Sequence, residues 1–216
     1  MVKSGYGDRA SPQPTTKRNV DKDSGDFYPT PLWATGILLR HESFEGKTWE
    51  PACGDGAMSR VLIAGGLDVR SSDLFNRGFG TPDVDFLSQL PTNQSRHYFA
   101  FDCDNIITNP PYHLAEDFVR IGLSLIKKKL ALLVRLAFLE SAQRYDGIYE
   151  KTPPSRTWIF TKRPTFYPKG AKRGGSGTTA YCWMIWDSEH VGPSELCWFP
   201  HKRKIDKPLT LEGLGL

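Results

Sequence analysis

From residue 31 onward the chain alternates between short apolar runs and apolar stripes of helical period. Leu32, Trp33, Gly36, Ile37 and Arg40 follow a Pro-Thr-Pro entry at helical spacing and predict a short helix. Residues 48–53 predict a strand that ends in the turn Gly54-Asp55-Gly56. Met58, Val61, Leu62 and Ala64 then recur at i, i+3, i+4 until Gly65-Gly66 closes the helix. Residues 67–72 predict a second strand, ending at Asp73, and residues 105–108 a third, ending at Asn109-Pro110-Pro111-Tyr112. The stretch after it sets Leu114, Ala115, Phe118, Val119, Leu125 and Ile126 on one helix face. Residues 130–134 are continuously apolar, as a strand covered on both faces requires. The alternation predicts a parallel α/β sheet with right-handed crossovers and helices on both faces. Residues 157–161 and 181–186 predict two more strands around a basic, glycine-rich connection, residues 169–177.

Residues 1–25 carry no hydrophobic period and are broken by Gly5, Gly7, Pro12, Pro14 and Gly25, which predicts a mobile polar tail. Residues 26–200 then form one domain, and 201–216 a basic C-terminal tail. The 216-residue composition, 39% hydrophobic and 24% charged, suits one globular domain that needs no disulfide or metal to hold its core. Cys53, Cys103, Cys182 and Cys197 lie far apart and the five histidines are scattered, so no metal site is expected. There is no run of about 18 apolar residues, and no apolar segment follows Lys3, so neither a membrane anchor nor a signal peptide is expected. The expected location is the cytoplasm of a bacterial or phage-infected cell.

Charge is unevenly placed. Residues 1–150 hold 17 Lys+Arg against 19 Asp+Glu, and residues 151–216 hold 11 against 5. Between Lys151 and Trp186 there is no acid, while Lys151, Arg156, Lys162, Arg163, Lys169, Lys172 and Arg173 alternate with aromatic residues. Cations neutralise phosphates and rings stack on bases, so region 141–177 reads as a nucleic-acid contact. A solvated basic loop flanked by core strands explains the same pattern.

In an open parallel sheet, ligands sit beyond the carboxyl ends of the strands. Gly54 and Gly56 there allow close backbone approach, as any tight turn also would. Asp73, 19 residues after Gly54, stands where a carboxylate accepts bonds from ribose hydroxyls. The third glycine of a dinucleotide fingerprint is missing, which favours a nucleoside over a pyrophosphate. Pro110 and Pro111 stop the third strand and hold a rigid corner that turns the Asn109 amide and the Pro110 carbonyl outward. Two fixed acceptors hold both hydrogens of an exocyclic amine, stabilise charge developing on its nitrogen and aim its lone pair. Tyr112 offers a ring for a flat base.

These residues resemble the S-adenosylmethionine-dependent N6-adenine DNA methyltransferases, in which a cofactor box precedes the Asn-Pro-Pro-Tyr box. Asp26-Phe27-Tyr28-Pro29-Thr30-Pro31 is similar to the N-terminal cofactor box of that family, and Glu50-Pro51-Ala52-Cys53-Gly54-Asp55-Gly56 to its glycine box. The resemblance implies a Rossmann-like class I methyltransferase fold, a mostly parallel seven-stranded sheet with one antiparallel strand at residues 181–186. It implies that Thr30, Glu50 and Gly54 border the methionine part of the cofactor, Asp73 its ribose, and Asp85 and Phe86 its adenine. Tyr28, Pro51, Ala52, Cys53, Asp55, Gly56, Leu74 and Asn109 are further expected cofactor contacts.

The late box of the family resembles Arg163-Pro164-Thr165-Phe166, which makes Phe166 a base contact, with Lys162, Arg163, Lys169, Lys172 and Arg173 against DNA. The catalytic set is Asn109, Pro110, Pro111 and Tyr112. The expected activity is methyl transfer to N6 of an adenine flipped out of duplex DNA. The same chemistry on RNA adenine, cytosine N4 or a protein glutamine amide stays open, as does an inactive nucleic-acid-binding module. About fifty residues follow the late box, too few for a separate target-recognition domain, so specificity is expected to be short or relaxed.

Overall fold

The computed structural model describes residues 27–89, 101–167 and 177–200. The two expected tails, as well as Lys169, Lys172 and Arg173, lie outside the described residues.

Seven strands form one sheet. In chain order they are β1 (Lys47–Glu50), β2 (Asp68–Ser71), β3 (Asn105–Thr108), β4 (Lys129–Arg135), β5 (Arg156–Phe160), β6 (Tyr181–Asp187) and β7 (Glu195–Phe199). Their spatial order is β2-β1-β3-β4-β6-β5-β7. β6 runs antiparallel to both neighbours and the other pairings are parallel. The sequence pattern places the first six strands within a residue or two, except that the first stops at Glu50, where Pro51 and Ala52 turn the chain. It misses β7, whose Leu196 and Trp198 are exposed on an edge rather than buried in a two-sided core.

Side-chain alternation divides the core between the two sheet faces. Ile106, Leu130, Leu132, Val134, Cys182, Met184 and Trp186 point to one face, where α3 (Ala115–Leu125) lays Phe118, Val119 and Ile121 over them. Ile107, Ala131, Leu133, Trp183 and Ile185 point to the other, under α1 (Leu32–Leu39) and α2 (Ala57–Ala64). Trp183 is fully buried and donates its indole N–H to the Ala34 carbonyl at 2.9 Å, which ties α1 to the antiparallel strand. α1 buries Ala34, Thr35, Gly36 and Leu38, rotated from the stripe centred on Leu32, Trp33 and Ile37, because Trp33 instead meets Phe160 edge-on. Among the described residues no helix is long and apolar enough to cross a membrane, and no group of three metal-ligating side chains occurs.

Within the described part of the basic stretch, the cations take separate places. Arg156 opens β5 at the amino end of the parallel strands and enters an ionic cluster there. Its Nε donates to Glu42 Oε1 at 2.5 Å, and its Nη2 donates to Glu42 Oε2 at 2.9 Å and to Asp187 Oδ2 at 2.7 Å. Trp158 Nε1 adds a bond to Glu42 at 2.8 Å, and Lys129 lies 3.2 Å from Asp187. Trp158 stacks on Phe199, and Trp183 and Tyr181 are core residues. Residues 142–160 of region 141–177 form a helical turn at Ala142–Arg144, a π turn at Tyr145–Tyr149 and all of β5.

Burial pushes the Glu42 and Asp187 carboxyls up, but bonds from Arg156 and the charge of Lys129 more than offset it and hold both below their usual values. Their stabilising contribution is therefore complete above the unfolded carboxylate range and is lost as pH falls through the depressed values. Glu42→Ala strands a partly buried guanidinium and should cost about 3 kcal/mol at neutral pH; urea denaturation of the two proteins at pH 7 and pH 3 should show the difference shrinking in acid.

Candidate active site

The carboxyl ends of β1, β2, β3 and β4 lie along one edge of the sheet, and a cavity of about 380 Å³ opens there. That is the size of a small-molecule site. Its wall combines the N-terminal segment 27–30, the β1 turn, the loop after β2, the turn at residues 84–87 and the whole Asn109-Pro110-Pro111-Tyr112 corner. The sequence-predicted boxes, separated by up to 80 residues, are thus brought to one space.

The glycine turn works differently from the expectation. Gly54 (φ +56°) and Gly56 (φ +83°) are left-handed, a conformation that costs glycine little. A Cβ at Gly54 would lie 2.1 Å from the Phe27 ring, and one at Gly56 would lie 2.4 Å from the Phe79 ring. Aromatic side chains of the protein therefore occupy the space the glycines leave, and Cys53 and Asp55 form the cavity wall. Gly54 N–H donates to Asp73 Oδ2 at 2.8 Å, and Phe75 N–H to Asp73 Oδ1 at 2.9 Å. Asp73 is 7% exposed and reaches the cavity with its orientation fixed by two backbone donors, each oxygen keeping a further lone pair. Leu74, 49% exposed, lines the mouth beside it, together with Phe75 and Arg77.

Glu50, at the end of β1, is 2% exposed and also faces the cavity. It accepts a bond from Ser59 Oγ of α2, which in turn lies 2.6 Å from Ser71 Oγ of β2. Burial raises the Glu50 carboxyl to about 8, with the nearby charge of Asp73 adding to the rise. Asp85 Oδ1 accepts the Leu87 N–H at 2.9 Å and caps the Phe86–Ser88 turn. Phe86 is wedged between Trp49 and Phe118, with ring centroids 5.3 Å and 4.5 Å away, so its ring is a core element that also reaches the cavity.

At the diproline corner, Asn109 Nδ2 donates to Thr30 Oγ1 at 3.2 Å. The Asn109 side-chain oxygen is buried and has no hydrogen-bond partner. The Pro111 carbonyl accepts the Leu114 N–H at 2.9 Å and starts the short turn Tyr112–Leu114. Tyr112 O–H donates to Tyr181 Oη at 3.2 Å, and the Arg135 guanidinium lies over the Tyr112 ring, 4.4 Å from its centroid. Phe166 contacts the other side of this group through Tyr181, at 4.7 Å between centroids. Lys162 and Arg163 are exposed at the carboxyl end of β5, with the Lys162 ammonium 5.9 Å from the Trp33 ring.

The sequence reading missed Phe27 as a cover for Gly54, as well as Ser59, Phe75, Arg77 and Arg135. Only Ser59 carried a usable signal, a polar residue on the otherwise apolar face of α2 one turn past the glycine box.

No protein-family model matches the sequence, and no curated protein does. Solved structures do resemble it. A candidate class I S-adenosylmethionine-dependent methyltransferase from Listeria monocytogenes superposes with a TM-score of 0.51 and 14% identity, covering 78% of this chain and 64% of that one. The modification subunit of a candidate type I restriction enzyme from Vibrio vulnificus gives 0.54 and 16%, covering 85% and 49%. A candidate RNA methyltransferase from Pyrococcus horikoshii gives 0.50 and 12%, covering 75% and 88%. The fold is that of the class I methyltransferases. This chain spans 64% and 49% of the first two relatives' length. In this methyltransferase fold the cavity lies at the carboxyl ends of the parallel strands, on the edge where the topology reverses between β1 and β3.

Because the folded Glu50 carboxyl titrates near pH 8 and an unfolded one near 4.5, the neutral form stabilises the fold, fully below the unfolded value and progressively less as pH rises to about 8. Glu50→Gln should remove this loss, so that thermal melting of the variant changes less than that of the wild type between pH 5 and pH 8.5. A matching decline in both proteins would assign the effect elsewhere.

Proposed function

We propose that this protein transfers a methyl group from S-adenosylmethionine to the N6 amine of an adenine flipped out of DNA. The observation that carries the reading is the Asn109-Pro110-Pro111-Tyr112 corner in the wall of a nucleoside-sized cavity, with Asn109 Oδ1 buried there and lacking a hydrogen-bond partner.

The residues present fit that cofactor. Glu50 offers a buried carboxyl that a cationic ammonium would draw into its charged form, Asp73 offers oriented acceptors for ribose hydroxyls, and Leu74, Asp85 and Phe86 form a wall with one polar edge for an adenine. Tyr28, Thr30, Pro51, Ala52, Cys53 and Asp55 complete the surface, and Gly54 and Gly56 shape it through Phe27 and Phe79. When bound, S-adenosylmethionine supplies an electrophilic methyl group.

The protein's own part is electrostatic. Thr30 takes the Asn109 amide nitrogen and leaves the amide oxygen as an unused acceptor, and the prolines stiffen the backbone that carries the Pro110 carbonyl. An aromatic amine conjugates its lone pair into the ring and is a weak nucleophile. Two acceptors on its hydrogens favour a pyramidal nitrogen and stabilise the positive charge that develops there, without a strong base. Tyr112 gives the base a surface for stacking, and Phe166 and Tyr181 hold the Tyr112 ring in place. Extruding the base costs a few kcal/mol, which stacking and phosphate contacts offset. Lys162 and Arg163, exposed on the same edge, suit such contacts, and Lys169, Lys172 and Arg173 extend the basic connection in sequence.

Asn109→Ala should abolish methylation while leaving cofactor affinity near wild type; digestion of treated DNA to nucleosides, with mass identification of N6-methyladenine, reads the first and calorimetry the second. Undiminished turnover would reject the role of that side chain, and a product at cytosine N4, or in RNA alone, would redirect the substrate. Asp73→Ala should weaken cofactor binding at least tenfold, about 1.4 kcal/mol, and an unchanged Kd would remove Asp73 from the ribose.

A further inference from the structure

Arg135 ends β4 opposite Tyr181, next to the diproline corner. Among the described residues its guanidinium forms no ion pair and no hydrogen bond; its one contact of this kind is with the face of Tyr112, and its Nε–H is buried without an acceptor. A buried N–H left unmatched costs about 1–3 kcal/mol, and a ring face does not supply the missing acceptor. Two neighbouring arginines are engaged: Arg77 pairs with Asp73, and Arg144 donates to the carbonyls of Phe138, Ala137 and Glu140.

We infer that Arg135 is a phosphate-binding residue for the nucleotide whose base enters the cavity. The inference rests on the methyl-transfer reading above and specifies its substrate as a nucleotide within a strand, not a free base or a protein amide. An unpaired, half-buried cation favours an anion, and the two Nη groups of the guanidinium, unlike its buried Nε, are open to two phosphate oxygens. A ring nitrogen would accept one bond and leave the charge unbalanced. Stacking on Tyr112 holds the guanidinium plane in place before the substrate arrives, so the phosphate contact and the orientation of the Tyr112 ring are set by the same side chain. Arg135 is thus a positioning residue for Tyr112 as well as a contact for the backbone.

The test uses a short DNA duplex containing one adenine, compared with the same duplex in which either phosphate flanking that adenine is a neutral methylphosphonate. Arg135→Ala should raise KM for the unmodified duplex about tenfold or more and lower the slope of log affinity against log salt by about 1. Arg135→Lys should recover the slope but only part of KM. One of the two methylphosphonates should reproduce the loss in the wild type and cause little further loss in Arg135→Ala. An unchanged KM and salt slope in Arg135→Ala, with its thermal melting intact, overturns the inference, as does full additivity of the substitution with both methylphosphonates. Wild-type protein that binds the duplex but leaves no N6-methyladenine counts against the parent reading instead, and the salt slopes of the two proteins then decide Arg135 alone.

Discussion

A primary amide has one donating and one accepting end, and fixing the first fixes the second. The bond from Asn109 Nδ2 to Thr30 Oγ1 does this across 79 residues of chain, joining the N-terminal segment to the end of β3. The amide oxygen is left buried and unmatched, in a residue that lines the cavity. Thr30 is itself buried, and Pro110 and Pro111 keep the adjoining backbone from relaxing toward the oxygen. The position of everything else at the carboxyl edge has meaning relative to that atom.

The same logic governs Asp73 and Glu50. Asp73 is oriented by the N–H groups of Gly54 and Phe75, so the glycine turn serves the site indirectly, through a carboxylate and through the rings of Phe27 and Phe79 that fill the space above it. Glu50 is bonded by Ser59, through its hydroxyl and its backbone N–H, yet burial outweighs these bonds and favours the neutral acid. The two carboxyls thus sit differently, Asp73 oriented by two backbone N–H groups and Glu50 favoured as the neutral acid by burial.

The charge of the chain is divided between the two ends of the sheet. At the amino end of the parallel strands, Arg156 and Lys129 are consumed by Glu42 and Asp187, which locks α1, β4, β5 and β6 together. At the carboxyl end, Lys162, Arg163 and Arg135 have no carboxylate partner among the described residues. A cationic stretch in the sequence thus separates into a structural part and a part free to meet an anion.

The sequence by itself determined the order of strands and helices through β6 and the polar features at the ends of the first three strands, because hydrophobic period and proline or glycine punctuation are local properties, whereas the antiparallel place of residues 181–186 followed only from the family resemblance. It did not reveal β7, since a half-exposed edge strand lacks the two-sided burial that makes a strand conspicuous. Nor could it tell Arg156 from Lys162, or show that Gly54 makes room for Phe27, because those outcomes depend on which distant side chain occupies the same space. Only the tertiary structure decided that Thr30 takes one end of Asn109 and that Arg135 rests on Tyr112. Both are contacts between chain segments that no spacing along the sequence encodes.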